Sequence, residues 1–216
     1  MGKFEEKILN MSEEIKGKFV DLNDLDKDKT AIVIVDMVNG FVHEGALSSP
    51  RVEGIVDEIV RINEKTLGNK KIFFLDEHTN NSTEFKSYAK HCLEGSLEAE
   101  LIPELKNEAL LDSNTVMIPK NSVNGFHAPG FKKWLEENES QIENYIICGC
   151  EVDICVSNFA NTLKTYFNQK NMDKRIIIPS NAVETFDFGT HDGDLMKIIS
   201  LWEMQSNGIE IVDRVL

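Results

Sequence analysis

The spacing of apolar and polar positions switches repeatedly between a helical period and short unbroken runs. Residues 3–16 place Phe4, Ile8, Leu9, Met11 and Ile15 on one side of an amphipathic helix. Thr30 then leads into Ala31-Ile32-Val33-Ile34-Val35, an apolar run that predicts a strand buried on both faces and ending on Asp36. Residues 37–50, with two glycines and a proline, read as a loop. Val52, Ile55, Val56, Ile59, Val60 and Ile62 restore the helical period as far as about Leu67. Lys71–Leu75 forms a second strand ending on Asp76, and the polar stretch 77–97 reads as a long loop. A third strand, Thr115–Ile118, ends at Pro119-Lys120, and a helix starts at Phe131–Glu137.

The fourth apolar run, Tyr145–Cys148, stops at Gly149. After a five-residue turn, helical spacing predicts a helix over 153–168 with Ile154, Phe159, Leu163, Tyr166 and Phe167 toward a core. Asp153 is placed to cap that helix, and Cys155 falls in its first turn, where the helix dipole favours a thiolate. Arg175–Ile178 is a fifth strand, a helix follows around Asp194–Gln205, and Ile209–Val212 is a sixth strand. Continuous apolar strands alternating with helices predict a three-layer α/β/α, Rossmann-like fold with a mostly parallel six-stranded sheet. Residues 1–216 read as a single domain, with 1–29 as an N-terminal helix and lead-in.

In such sheets functional groups gather beyond the carboxyl ends of the strands. There the chain carries Asp36, Asp76 and His78, Lys120, and Cys155 after strands one to four in turn. Cys155 needs a base, and a carboxylate whose pKa is raised by burial, Asp36, can serve. Lys120 would hold the pair together, and backbone N–H groups of the Gly149–Cys155 turn could bind the oxygen of a tetrahedral intermediate. Asp76-x-His78, with His91 later in the loop, offers one carboxylate and two imidazoles to a divalent ion. By spacing alone, solvated loop histidines are the simpler account of His78 and His91. Glu84 and Glu94 are not ranked as ligands. Phe41 and Phe126 follow Asp36 and Lys120 closely and could each wall a pocket or pack in the core. Of the other histidines, His43, His127 and His191, the last lies near a helix start, as a structural residue or at a pocket mouth.

Bulk composition changes the picture little. With 23 basic and 37 acidic residues the net charge is −14, which argues against nucleic acid or an anionic membrane surface as a partner. The N-terminus has no apolar signal segment, no run approaches the ~20 residues of a membrane span, and four cysteines read as reduced thiols; a cytoplasmic location is expected. Cys148 and Cys150 are expected to pack in or near the core.

Three motifs, AIVIVDMVNGF, IPKNSVNGF and GCEVDICVSNFA, resemble those of the isochorismatase-like cysteine hydrolases, over most of the chain from about residue 30 onward. Within that superfamily the chain is most similar to nicotinamidases, because His91-Cys92-x-x-Gly95-Ser96 and Gly45-Ala46-Leu47 resemble that branch. The resemblance implies Asp36 as catalytic acid/base, Lys120 as its partner and Cys155 as nucleophile. It implies a cis peptide at Cys150–Glu151, with the Glu151 and Cys155 N–H groups as oxyanion hole. It also implies a divalent metal, Zn²⁺ foremost or else Mn²⁺ or Fe²⁺, on Asp76, His78 and His91. The implied reaction turns nicotinamide and water into nicotinate and ammonia through a thioester on Cys155, in NAD salvage. Another small amide, carbamoyl or ureido substrate is the alternative, and a homo-oligomer is implied. The sequence departs from the family pattern D-x-Q-N-D-F at Val38 and Gly40, where a polar side chain and an acid are usual.

Overall fold

The computed structural model describes residues 3–106 and 113–216; the side chain of Phe4 lies outside the described ones. Helix α1 (Lys3–Ile15) precedes six strands: β1 (Thr30–Val35), β2 (Lys70–Asp76), β3 (Thr115–Lys120), β4 (Asn144–Cys150), β5 (Arg175–Pro179) and β6 (Glu210–Val212). Helices α2 (Val56–Lys65), α3 (Pro129–Asn138), α4 (Ser157–Gln169) and α5 (Gly193–Ser206) run between them. The strands lie in the order β3-β2-β1-β4-β5-β6 and every pair is parallel. A two-residue strand, Val183–Glu184, adds to the end of β4. The order reverses between β1 and β4, and the crevice at that switch point is where such sheets bind ligands.

Both sheet faces are covered, which is why the strands are apolar at successive positions. Ala31, Val33, Val35, Tyr145 and Ile147 face one buried cluster with Phe131 of α3, Phe159, Leu163 and Phe167 of α4, and Leu201 and Met204 of α5. Ile32, Ile34, Ile146, Cys148 and Cys150 face the other, with Val56, Ile59 and Ile62 of α2. Cys148 and Cys150 are thus core residues, as expected. The lead-in is tied to the fold: Phe19–Val20 pairs with Arg214–Val215, and α1 packs on α5.

The structure corrects the sequence expectation in several places. Gly149 does not end the fourth strand; β4 runs through it to Cys150. Its φ is +115°, and a Cβ there would lie 2.0 Å from the Val35 carbonyl oxygen, so only glycine lets β4 lie this close to β1. The helix expected from Val52 comes in two pieces, Pro50–Glu53 and α2, separated by a turn at Gly54-Ile55. A helical turn, Asn39–Val42, occupies part of the predicted loop 37–50.

Candidate active site

Parallel register sets the first contact. Asp76 and Lys120, the last residues of β2 and β3, are paired across the ladder. The Lys120 ammonium donates to Asp76 Oδ1 at 2.6 Å. It reaches Asp36 Oδ2 at 2.8 Å and the Cys155 sulfur at 3.7 Å. All four side chains are buried, Cys155 at 4 % exposure and Asp36 at 0 %. One cation therefore joins the ends of three strands and the turn after β4. Asp36 takes up a left-handed backbone, φ +53°, directly after β1. Its N–H donates to the Phe74 carbonyl, and its own carbonyl accepts from Val38 N–H and the Cys150 thiol, so the neighbouring strands hold this turn.

Burial decides the protonation of these groups. It pushes the Asp36 carboxyl up to about 7, with Lys120 opposing and Asp76 adding to the rise. Burial would raise Asp76 too, but the Lys120 charge, and after it the neighbouring His78 and His91, hold it well below the usual carboxylate range. Lys120, flanked by both carboxylates, stays charged despite its burial. Two carboxylates on one lysine are thus driven apart: one ionised, one poised near neutrality to exchange a proton. The Cys155 thiol is pushed up by burial, against the pull of Lys120 and with Asp36 and Asp76 adding to it. A deprotonated Cys155 therefore requires transfer of its proton to a neighbour. Cys155 lies in a turn ahead of the α-helix and not in its first turn, so the expected helix-dipole position is not the one it occupies.

The segment carrying Cys155 differs from expectation. Val152–Val156 forms a π-helical turn ahead of α4, with the Ile154 and Val156 N–H groups both donating to the Glu151 carbonyl. π-turns of this kind recur at functional sites. Asp153 does not cap the helix; it lies within the π-turn, and its carboxylate meets His191. The Cys150–Glu151 peptide is cis, at the position the resemblance implied. The Glu151 carboxyl is buried and pushed up to about 8 by that burial, with Thr185 opposing and Asp153 and Asp36 adding to it.

Asp76, His78 and His91 converge as a buried cluster whose ligating atoms lie within 4.8 Å of one another. His78 Nε2 is 2.9 Å and His91 Nε2 3.0 Å from Asp76 Oδ2. Ring tautomers follow from the outer contacts. Asn121 Oδ1 accepts the Thr79 backbone N–H and faces His78 Nδ1 at 3.0 Å, so that nitrogen donates. His91 Nδ1 lies 2.7 Å from the Ala89 carbonyl, which can only accept. With Nδ1 carrying the hydrogen, each ring can present an Nε2 lone pair toward Asp76 Oδ2, and Asp76 Oδ2 and His78 Nε2 make no hydrogen bond. Three inward-facing donors, each oriented from behind, fit a divalent cation. Glu84 and Glu94 are outside this cluster. Asp76 belongs to both halves of the site, with one oxygen on Lys120 and the other toward the imidazoles.

Phe41 is buried with its ring 5.6 Å from that of His91, at the edge of the cluster. Phe126 instead packs on Phe131 and Tyr166 in the aromatic layer under α3 and α4. Sequence spacing missed Phe85 and Tyr88. Phe85 lies 5.3 Å from His78 and 5.7 Å from His91, and Tyr88 6.3 Å from His91. The Tyr88 phenol is pushed up first by burial, then by Cys155, Glu84 and Asp153, which puts it within electrostatic reach of the turn that carries Cys155. Both come from the polar stretch 77–97, where no period marks an inward face. Asn121, adjoining Lys120, gave no signal beyond that position. The departure at Gly40 has a packing cause: a Cβ there would lie 2.6 Å from the Cys92 sulfur and 3.1 Å from Glu98 Cβ. Val38 is buried and bridges Leu101.

The family model for the isochorismatase domain matches residues 30–207. The chain belongs to the isochorismatase family. It is an isochorismatase-family hydrolase, and Asp36, Lys120 and Cys155 all lie within the matched region. It is 26% identical to Nicotinamidase 1 of Arabidopsis thaliana over 220 residues, 88% of each chain. Among solved structures, a nicotinamidase from Bacillus subtilis superposes with a TM-score of 0.72 at 23% identity, covering 85% of this chain and 99% of that one. The pyrazinamidase of Pyrococcus horikoshii in complex with zinc gives 0.67 at 23% identity, covering 85% and 98%. The isochorismatase-like fold is thus shared across these proteins. No helix among the described residues is long and apolar enough to cross a membrane.

Proposed function

We propose that this hydrolase is a metal-dependent cysteine amidase that converts nicotinamide to nicotinate and ammonia, as in NAD salvage, through a thioester on Cys155. The observation that carries this reading is the shared Asp76. A single carboxylate links the Lys120–Asp36–Cys155 cluster to a three-donor metal cluster bordered by the aromatic rings of Phe41, Phe85 and Tyr88.

Asp36, poised near neutrality, accepts the Cys155 proton, and Lys120 offsets the negative charge on the sulfur. The thiolate adds to the carboxamide carbon, with the Glu151 and Cys155 N–H groups proposed to receive the developing oxyanion. Protonated Asp36 returns its proton to the nitrogen as the C–N bond breaks, releasing ammonia and leaving a thioester. Water then adds to the thioester while Asp36 takes one of its protons. Collapse expels the thiolate, which recovers that proton and frees the acid. A divalent metal on Asp76, His78 and His91 would supply Lewis-acid binding for a heteroatom donor of the substrate.

Similarity to Arabidopsis Nicotinamidase 1 supports nicotinamide over other amides. The test is ammonia release from nicotinamide by metal-loaded protein, beside Cys155→Ala. Release lost in the variant, with folding retained, supports the reading. No release from nicotinamide, with release from a ureido or carbamoyl compound, would replace the substrate while keeping the residues in their roles.

A further inference from the structure

The buried carboxylate of Asp153, inside the π-turn and two residues before Cys155, has no part in the chemistry above. Its Oδ2 lies 2.8 Å from His191 Nε2, with the carboxylate 5% and the imidazole 21% exposed. On the other side of the ring, His191 Nδ1 lies 2.9 Å from the Phe186 carbonyl oxygen. A carbonyl oxygen only accepts, so Nδ1 carries its hydrogen. The contact between Nε2 and Asp153 Oδ2 has hydrogen-bond geometry, so the proton of that bond lies between these two atoms.

The loop that presents His191 is built to hold it still. The Phe186 ring stacks on the imidazole with centroids 4.0 Å apart and planes 8° apart. Phe188 and His191 exchange backbone hydrogen bonds. Arg51 fastens the loop to the body of the domain by donating to the Thr185 carbonyl and to Glu184 and Asp194. The loop thus reaches the turn that carries Cys155 through the His191–Asp153 bond.

We propose that His191 and Asp153 form a latch that positions the π-turn and the Cys155 it carries, making both of them positioning residues for the hydrolysis proposed above. The latch acts on the turn and not on substrate. Its loss therefore lowers turnover and leaves substrate affinity in place. Loss of such a bond with its partner left buried corresponds to about tenfold to a hundredfold in rate.

The test compares wild type with Asp153→Asn, His191→Gln and the double variant. Hydrogen exchange of the backbone amides over 151–157 is the readout that needs no substrate, so it stands even if nicotinamide is not turned over. The latch predicts exchange there faster by tenfold or more, equally in both single variants, with no further gain in the double. Exchange in the later turns of α4 stays unchanged. On whichever amide is hydrolysed, kcat falls with KM held. Added imidazole restores turnover to His191→Gly, whose vacated site reaches solvent. Unchanged exchange over 151–157, or effects of the two single variants that multiply in the double, would overturn the latch. If His191→Gly does not fold, Asp153→Asn, which keeps the shape of the side chain, decides the matter by the exchange readout.

Discussion

Replacing Lys120 by methionine keeps an unbranched stem and removes an ammonium that touches Asp36, Asp76 and Cys155. The lysine is 3% exposed and lies 2.8 Å and 2.6 Å from the two carboxylates. Its loss leaves two buried acids without the cation that separates them. Breaking one side of a buried pair costs about 3–5 kcal/mol, because the remaining charge is uncompensated. For a chain of this size that corresponds to a fall in Tm of roughly 6–20 °C. Lys106→Met is the internal control. Its bond to Glu100 has both side chains 47% exposed, so its loss should cost less than about 1 kcal/mol. Both variants would be followed by denaturant unfolding at pH 7.5 in a chelating buffer, so that a bound metal does not mask the difference. Lys120 also opposes the burial of Asp36, so its removal should move that carboxyl further upward and shift the acid limb of activity to higher pH. A Lys120→Met loss no larger than the Lys106→Met control would refute the claim that this ammonium holds the carboxylates together.

Three further predictions rest on separate features. Asp36 accepts a proton only when ionised and its carboxyl titrates near 7, so kcat/KM should rise through an acid limb with a midpoint close to pH 7. A rate flat from pH 5.5 to 8 at constant metal loading would exclude Asp36 as the base. His91→Ala removes one of three convergent donors and should lower bound metal well below one equivalent by elemental analysis, and full retention would contradict the ligand set. Gly149→Ala puts a Cβ 2.0 Å from the Val35 carbonyl at φ +115°, and should cost more than about 3 kcal/mol in chemical denaturation. A near-neutral effect would mean that β4 and β1 can separate there at little cost.

The sequence by itself determined the layers and most of the candidate chemistry. Unbroken apolar runs require cover on both faces, so the strands around Val33, Phe73 and Ile147 could be read without coordinates. Asp36 and Asp76, which close the first two of these runs, and Lys120, which closes the strand Thr115–Lys120, are placed by the topology of any parallel sheet at its carboxyl edge. Tertiary structure decided what those residues do to one another. The order β3-β2-β1-β4 placed Lys120 between two acids, and burial split their proton affinities, which no spacing along the chain encodes. Close approach of backbones carried β4 through Gly149, where a glycine in sequence reads as a stop. Segments without a period stayed illegible: Phe85, Tyr88, and the loop that brings His191 onto Asp153. Their positions come from long-range contacts that fold an aperiodic stretch against a finished sheet, and local pattern carries no record of such contacts.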